Sequence, residues 1–400
     1  MYLVDVFRLI LAGSDPDRNV PPGAASENVR FFRGLMDTVL DDGTQRVTFA
    51  SSALAMGADV RIDTPDRLEG LAAAVFAEPR TIFLEAGHRA RDSALGAIRG
   101  FFRTPLPPGR SDPERVGLLV HAPGDGTALI DVLWTFPRAT VRKGMAGWSP
   151  GGRTRLERSA AEAVMRTGAS LARLRVDLGA GLGLSRADFG ARLEAGDRAA
   201  RAMADMPFIH SRAEEVGAAA GPPGSAGRAR AAARVRVTEA WRAFRFSEIA
   251  WAEPHPAAAA AAVESAAVSG RDVDAVFEDA KRDLDGEFVF ALALLAVWDA
   301  RAPALERTER PARPPSPRAR PVSPRDLPID PMRVVSLDVS GFSPDMRAAL
   351  SPEVAEKGGT RARRRHFVRG HLFRARSGHI VWRAGHFRGQ GTGSTLTRAR

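Results

Sequence analysis

The acidic residues of this 400-residue chain stop at Glu356, and the segment that follows is strongly cationic. Residues 357–400 contain eleven Arg, one Lys and no Asp or Glu, which gives this segment a formal charge of +12. The whole chain has a formal charge of +11, so the first 356 residues sum to about −1. A block of like charge either stays solvated or meets a partner of opposite sign. The chain therefore combines a near-neutral body, which can bury a core, with a basic end that either stays solvated or binds an anionic partner.

Arginine by itself says little about function here, because it is the default cation throughout the chain. Only Lys143, Lys281 and Lys357 are lysines, so 55 of the 58 cationic residues are Arg. Abundant Arg and Ala are what a GC-rich coding sequence produces, and an isolated Arg carries no functional message. A codon preference spreads Arg along a chain, but it does not remove every acid from one end. The charge partition is therefore the informative feature.

Several classes of protein are excluded by what the chain lacks. Cysteine is absent, which rules out disulfides, zinc–thiolate sites and thiol nucleophiles. Residues 1–13 include Asp5 and Arg8 and have neither the basic start nor the long apolar core of a signal peptide. The most apolar run, residues 288–298, is too short to span a bilayer and predicts a buried helix. We expect a soluble cytoplasmic protein with no membrane partner.

The periodicity of apolar residues predicts an α+β chain that begins with a mixed α/β domain at residues 1–150. Residues 27–40 have helical spacing, and residues 80–85 form a short β-type run. Residues 116–121 and 128–136 are two further β-type runs. The connector between them holds Pro, Gly and the pair Asp125-Gly126, which predicts a β-hairpin.

The rest of the chain divides into three regions on composition. Residues 151–300 are predicted to be mostly helical, with a flexible loop at the Gly- and Pro-rich residues 217–227. Residues 301–332 contain nine prolines and predict an extended Pro/Arg-rich linker. Residues 333–400 are predicted to form a basic, β-rich module that starts with an alternating strand at 333–340.

No motif predicts an enzyme or a cofactor. The chain has no P-loop and no Gly-x-Ser-x-Gly elbow, and the glycines at 179–183 lack the dinucleotide-binding fingerprint. Glu85 and His88 lie near a predicted strand end, but a single Glu and a single His supply no nucleophile or oxyanion site. We therefore predict a non-enzymatic protein with no cofactor.

The basic C-terminal module predicts a β-hairpin. Residues 366–374 and 379–383 are β-type runs, and Ser377-Gly378 is a turn signal between them. We expect one apolar face packed on the body and one face that presents Arg and His. The residues predicted to contact a partner are Arg365, His366, Arg369, His371, Phe373, Arg374, Arg376, Trp382, Arg383, His386 and Arg388.

Three interpretations of this module remain open. In the first, its arginines bind phosphates, because the guanidinium fork meets phosphate oxygens bidentately, and the aromatic residues stack on unpaired bases. In the second, its four histidines bind a metal, although their spacings of five, eight and seven residues match no helical or finger pattern. In the third, the hairpin docks on an acidic protein surface.

The order of residues in this module resembles the C-terminal element of a group of phage and mobile-element proteins. That group includes the type V-A anti-CRISPR family, which lowers production of the CRISPR effector nuclease. The residues that carry the resemblance are Arg369, Gly370, His371, Phe373, Arg374, Trp382, Arg388 and Gly389. Residues 81–85, 115–121 and 132–136 resemble the N-terminal strands of the family. The family has an aromatic residue directly after the Gly-His pair, where this chain has Leu372.

The resemblance implies an inhibitor-like or accessory protein that acts in the cytoplasm of a host bacterium. Family members are thought to recognise the effector during its translation and to cause loss of its message. The partners expected are therefore nucleic acid, RNA before DNA, or the ribosome, together with a protein or nascent peptide. Two alternatives from other classes are a metal-dependent nuclease that uses His366, His371 or His386 and a virion structural protein whose tail packs on DNA.

Overall fold

The fold is α+β, as the sequence predicts, and the described residues form eleven helices and a nine-stranded mixed sheet. The structure is a computed structural model. It describes residues 2–13, 26–50, 65–87, 113–137, 154–179, 184–284, 287–299, 305–315, 321 and 323–337, and four short strands between 366 and 388.

The helices, in chain order, are α1 (Leu3–Gly13), α2 (Ser26–Leu40), α3 (Pro65–Val75), α4 (Arg155–Arg166), α5 (Arg186–Glu194), α6 (Arg198–Ala204), α7 (Pro207–Ala220), α8 (Ala226–Ile249), α9 (Ala259–Ser269), α10 (Val273–Arg282) and α11 (Glu287–Asp299). Short 3₁₀ turns occupy Pro256–Ala258 and Pro324–Asp326. The main sheet is built from β1 (Gln45–Phe49), β2 (Arg80–Gly87), β3 (Arg115–Ala122), β4 (Thr127–Thr135), β5 (Thr167–Ala169), β6 (Ala172–Asp177), β7 (Ala250–Pro254), β8 (Leu305–Arg310) and β9 (Met332–Leu337).

The main sheet has the strand order β7-β6-β4-β3-β2-β1-β9-β8, and β5 also pairs with β4. Strand β1 runs parallel to both β2 and β9, and all other neighbours in the sheet are antiparallel. The predicted hairpin is β3–β4. Its turn places Gly124 at φ 95° and Gly126 at φ 87°, a region that favours glycine. The carboxylate of Asp125 accepts hydrogen bonds from the Thr127 amide and hydroxyl and fixes the turn.

Helices cover both faces of the sheet. On one face, α11 is buried from Glu287 to Val297, as the apolar run predicts, and it packs with α3 and Phe246 at the end of α8. A helix that is apolar all round must be enclosed on every side. On the other face, α1, α2 and α4 form a second apolar cluster that includes Phe83 and Leu133 from the sheet. The three layers place the core on each side of a single sheet.

A helical unit is inserted between β6 and β7, which are adjacent antiparallel strands. It consists of α5, α6, α7 and most of α8, and it has its own apolar cluster around Phe189, Ile209 and Trp241. The region predicted to be mostly helical is therefore an excursion from the sheet that returns to it. The flexible loop predicted at 217–227 is shorter than expected. Residues 217–220 complete α7 and α8 begins at Ala226, which leaves a turn at 221–225.

The sheet runs across the boundaries that composition suggested at 150, 300 and 332. Strands β6 and β7 come from the helical region, and β9 confirms the alternating strand predicted at 333–340. The segment predicted to be an extended linker supplies β8, which pairs with β9 over six residues. The physical reason is the position of the prolines. None falls between Ala304 and Arg310, so every amide needed for the ladder is present.

Candidate nucleic-acid interface

The basic C-terminal module contains two antiparallel ladders. Strands β11 (His371–Arg374) and β12 (Ile380–Arg383) pair with each other, with His371 opposite Arg383 and Arg374 opposite Ile380. Strands β10 (His366–Val368) and β13 (His386–Arg388), which flank β11 and β12 in the sequence, pair with each other, with His366 opposite Arg388. The backbone confirms the predicted hairpin and extends it by a second pair of strands. We call these four strands the basic ribbon.

Eight of the eleven residues predicted for the site lie on the strands of the basic ribbon. They are His366 on β10, His371, Phe373 and Arg374 on β11, Trp382 and Arg383 on β12, and His386 and Arg388 on β13. The other three, Arg365, Arg369 and Arg376, lie outside the described residues, as do Gly370 and Gly389. The outer ladder pairs His366 with Arg388, two predicted site residues that lie 22 positions apart in the sequence.

The register changes one expectation about the ribbon. Alternate positions of a strand belong to opposite faces of a ladder. Positions 371, 373, 381 and 383 therefore share one face, and positions 372, 374, 380 and 382 share the other. Each set contains both basic and apolar residue types, so the prediction of one apolar face and one basic face does not match the register. Each side of the ribbon combines cationic and apolar positions.

Among the described residues, the most deeply buried ionisable side chain is the carboxyl group of Glu85 on β2. Its side chain is 0% exposed, and it accepts hydrogen bonds from the Leu3 amide at 2.6 Å and from Arg115 Nη2 at 2.7 Å. Burial raises the pKa of Glu85, and Arg115 and the Leu3 amide oppose that rise. Because Leu3 begins α1, Glu85 caps the positive end of that helix from the sheet. The partners of Glu85 are thus the start of α1 and Arg115. His88, the other residue considered with Glu85 in the sequence, lies outside the described residues.

The single tyrosine extends this polar network to β8. The ring of Tyr2 contacts two guanidinium groups, with Arg115 at 5.2 Å and Arg310 at 5.0 Å from its centroid. Arg310 also pairs with Asp5 at 2.9 Å and donates to the Asp330 carbonyl. These contacts hold the start of α1 against the sheet. The charged side chains of this region therefore have a structural role.

A second pair, which is partly buried, joins β4 to the residue that follows β7. His255 Nδ1 accepts a hydrogen bond from the Ala257 amide, so Nε2 carries the proton and faces Asp131 Oδ1 at 3.4 Å. Burial raises the pKa of Asp131 to about 6, against the effect of Arg173. Burial, helped by Arg173 and opposed by Glu253, lowers the pKa of His255 to about 4. At neutral pH the imidazole is therefore neutral and the carboxylate ionised.

A cavity of about 490 Å³ opens between α2, the α4–β5 corner and α9. Its lining includes Phe31, Phe32, Met165 and Val268. The polar side chains of Asn28 and Ser265 in its wall hydrogen-bond to each other at 2.7 Å. Ligand pockets use a few polar groups that converge on the ligand. Asn28 and Ser265 bind each other, and the hydroxyl of Thr167, a third polar side chain of the wall, donates to the Ala163 carbonyl at 2.8 Å. The cavity therefore offers an apolar surface without a catalytic constellation.

The described part of the chain contains no group of three or more His, Asp or Glu side chains placed to hold a metal ion. None of its helices combines the length and the apolar character needed to cross a bilayer.

Comparison of the chain with protein-family models, with curated proteins and with solved structures found no match. The functional reading therefore depends on the residues themselves. Neither the Glu85–Arg115 pair nor the Asp131–His255 pair was predicted from the sequence. The available signal was a single acid inside an apolar strand, at Glu85 in residues 81–86 and at Asp131 in residues 128–136. Such an acid is almost always paired when it is buried.

Proposed function

We propose that this protein is a non-enzymatic accessory protein of a phage or mobile element, similar in action to anti-CRISPR inhibitors, that binds nucleic acid through its basic ribbon. The observation that carries the proposal is the charge partition, a +12 segment without a single acid that follows a body of about −1. Polyanion binding is driven by the release of counterions from phosphates, and it rises with the number of cations that reach them. The partner is expected to be RNA, free or on the ribosome.

The backbone of the ribbon suits such a partner. A two-stranded antiparallel ribbon fits the major groove of B-form DNA, and its Arg residues suit phosphate oxygens. Structured RNA is bound mostly at loops and bulges, where aromatic residues stack on exposed bases. Phe373 and Trp382 are ribbon residues of that kind. Both nucleic acids are therefore included in the test, and RNA is the one that the resemblance favours.

The near-neutral body has a different role in the proposal. It supplies a rigid three-layer support, and we propose that it recognises a protein or a nascent peptide in the cytoplasm of the host bacterium. The support for this part is the resemblance of residues 366–389 to proteins that act on an effector during its translation. The ribbon would then hold the message or the ribosome while the body selects the target.

The experiment compares the full chain with a full-length variant in which Arg369, Arg374, Arg383 and Arg388 are replaced by Gln. Binding is measured by fluorescence anisotropy with single-stranded RNA, an RNA stem–loop and duplex DNA at about 0.1 M salt. We expect the variant to bind at least tenfold more weakly to the preferred probe, since each lost phosphate contact removes a counterion-release contribution of about that order at this salt concentration.

The matched control replaces four exposed arginines of the body, Arg30, Arg212, Arg271 and Arg282, each of which is ion-paired. It removes the same charge from the chain but leaves the ribbon intact. Equal binding by the ribbon variant and the wild type would contradict the proposal. Equal losses in the ribbon variant and the control would show that only total charge matters.

A further inference from the structure

Helix α8 contains six arginines, and four of them have partners. Arg228 pairs with Glu214, Arg242 with Glu239, and Arg245 with Glu69 and Glu248. Arg236 Nη2 contacts His210 Nδ1 at 3.0 Å. These four arginines therefore each have a partner on α8 itself, on α7 or on α3.

The remaining two arginines of α8 face solvent. Arg230 and Arg234 are both exposed, and neither has a carboxylate partner among the described residues. They are four residues apart, which places them on one face of the helix with about 5–6 Å between their Cβ atoms. Thr238 follows at the next turn, and Arg186 Nη2 of α5 donates to its hydroxyl at 2.5 Å. Three guanidinium groups therefore form one row along α8, which we call the arginine row.

The surroundings of the arginine row leave its charge uncompensated. No Asp or Glu occurs from Val216 to Thr238. The acids that come next are already engaged. Asp188 is held by the cap of α5 at Ser185, and Glu239 pairs with Arg242. The arginine row therefore shares one property with the C-terminal segment: it contains arginines and no Asp or Glu.

The residues between these arginines indicate the kind of partner. Positions 229 and 231–233 are all alanine, and Val235 and Val237 are half-buried, so no exposed aromatic or large apolar residue of α8 lies beside the row. Protein–protein contacts depend on such anchors, whereas contact with a phosphate backbone does not. Small neighbours also let a backbone approach the helix closely. We propose that Arg186, Arg230 and Arg234 form a second contact site for the sugar–phosphate backbone of nucleic acid.

This inference rests on the proposed function in the class of partner, but it concerns a different surface on the helical insertion. The insertion has its own apolar cluster, and the row lies on its exposed side, so glutamine substitutions there leave the core untouched. Sequence-independent contact to phosphates would add affinity without adding base specificity.

The test measures log affinity against log salt for RNA and duplex DNA probes with four full-length proteins. These are the wild type, Arg230→Gln/Arg234→Gln, the ribbon variant and a combination of the two. A slope loss of about 1.5 is expected for the arginine-row variant, because each phosphate contact contributes about 0.7–0.9. A similar loss is expected when the same two substitutions are added to the ribbon variant. The control, Arg212→Gln/Arg282→Gln, should keep the wild-type slope.

The outcomes separate the two surfaces. An arginine-row variant with the affinity and slope of the wild type, while the ribbon variant loses binding, overturns this inference and leaves the proposed function standing. The reverse result keeps the arginine row and overturns the ribbon. A wild type without salt-dependent binding overturns both. Thermal unfolding of each variant, expected within about 2 °C of the wild type for exposed substitutions, checks that the fold is intact.

Discussion

Asp131 and His255 show how burial sets protonation at the scale of single residues. The pKa of Asp131 rises to about 6 and that of His255 falls to about 4, and burial is the main cause in both cases. Between these values the folded protein keeps a proton on Asp131 that the unfolded chain has lost. Over the same range the unfolded chain protonates His255, and the folded protein does not. The two effects on stability therefore have opposite signs.

This cancellation gives a prediction about pH. The Asp131 contribution falls as pH rises through about 6, and the His255 contribution grows from about pH 4 to the ordinary imidazole pKa. In Asp131→Asn, the Asp131 contribution is removed and only the His255 contribution to the pH dependence remains. The free energy of unfolding of this variant should rise relative to the wild type by roughly 2 kcal/mol between about pH 4.5 and 6.5, since one pKa unit corresponds to about 1.4 kcal/mol.

His255→Asn is the matched variant, because the Asn oxygen can still accept from the Ala257 amide. Its stability relative to the wild type should fall over the same pH range. Urea unfolding at the two pH values measures both changes. Two variants whose pH dependence parallels the wild type would show that the pair does not titrate as described.

The contacts of α1 show how one buried charge can position a whole element. Glu85 binds the first amide of the helix, Arg115 neutralises Glu85, and the ring of Tyr2 contacts both Arg115 and Arg310 of β8. The helix, the centre of the sheet and an edge strand are thereby joined through one network. Removing a single partner leaves a buried charge without compensation, which is costlier than removing the pair.

We predict that Arg115→Gln lowers the free energy of unfolding by about 3–5 kcal/mol at pH 8. The loss should be smaller at about pH 5, because without Arg115 the pKa of Glu85 rises further and the protonated carboxyl is tolerated when buried. Amide hydrogen exchange in α1 should also become faster. Arg212→Gln, which breaks an exposed pair, should change stability by less than about 1 kcal/mol. A loss that does not depend on pH would contradict the role of Glu85.

Elements whose signal is local could be predicted from sequence. The apolar run at α11, the helix α2 and the β3–β4 hairpin with Asp125-Gly126 are all present where the periodicity places them. Strand β8 was missed because proline content was averaged over a segment, although the six residues that pair contain no proline. The insertion between β6 and β7 depends on strand neighbours that are 70 residues or more apart in sequence, and no local pattern encodes such a pairing.

At the scale of the whole molecule, the boundary in charge differs from the compositional boundaries that the main sheet crosses. The fold joins residues from β1 to β9 in one sheet, across every compositional boundary, whereas the charge separates residues after Glu356 from all others. Eight residues of the predicted site lie on strands of the basic ribbon; six of them fall within the predicted hairpin, whereas His386 and Arg388 lie on β13, a strand that was not predicted. Their arrangement into mixed faces was not predicted, because the face of each residue depends on a register that the turn sets and composition does not.

The salt dependence of nucleic-acid binding by the full chain tests the central claim most directly. Four arginines of the ribbon segment and the arginine row together predict a slope of log affinity against log salt steeper than about −4, at about 0.7–0.9 per phosphate contact. Replacing Arg369, Arg374, Arg383 and Arg388 by Gln should reduce that slope by about 3. A wild-type slope near zero, or an unchanged slope in the ribbon variant, would contradict the claim that the acid-free end of this chain binds phosphates.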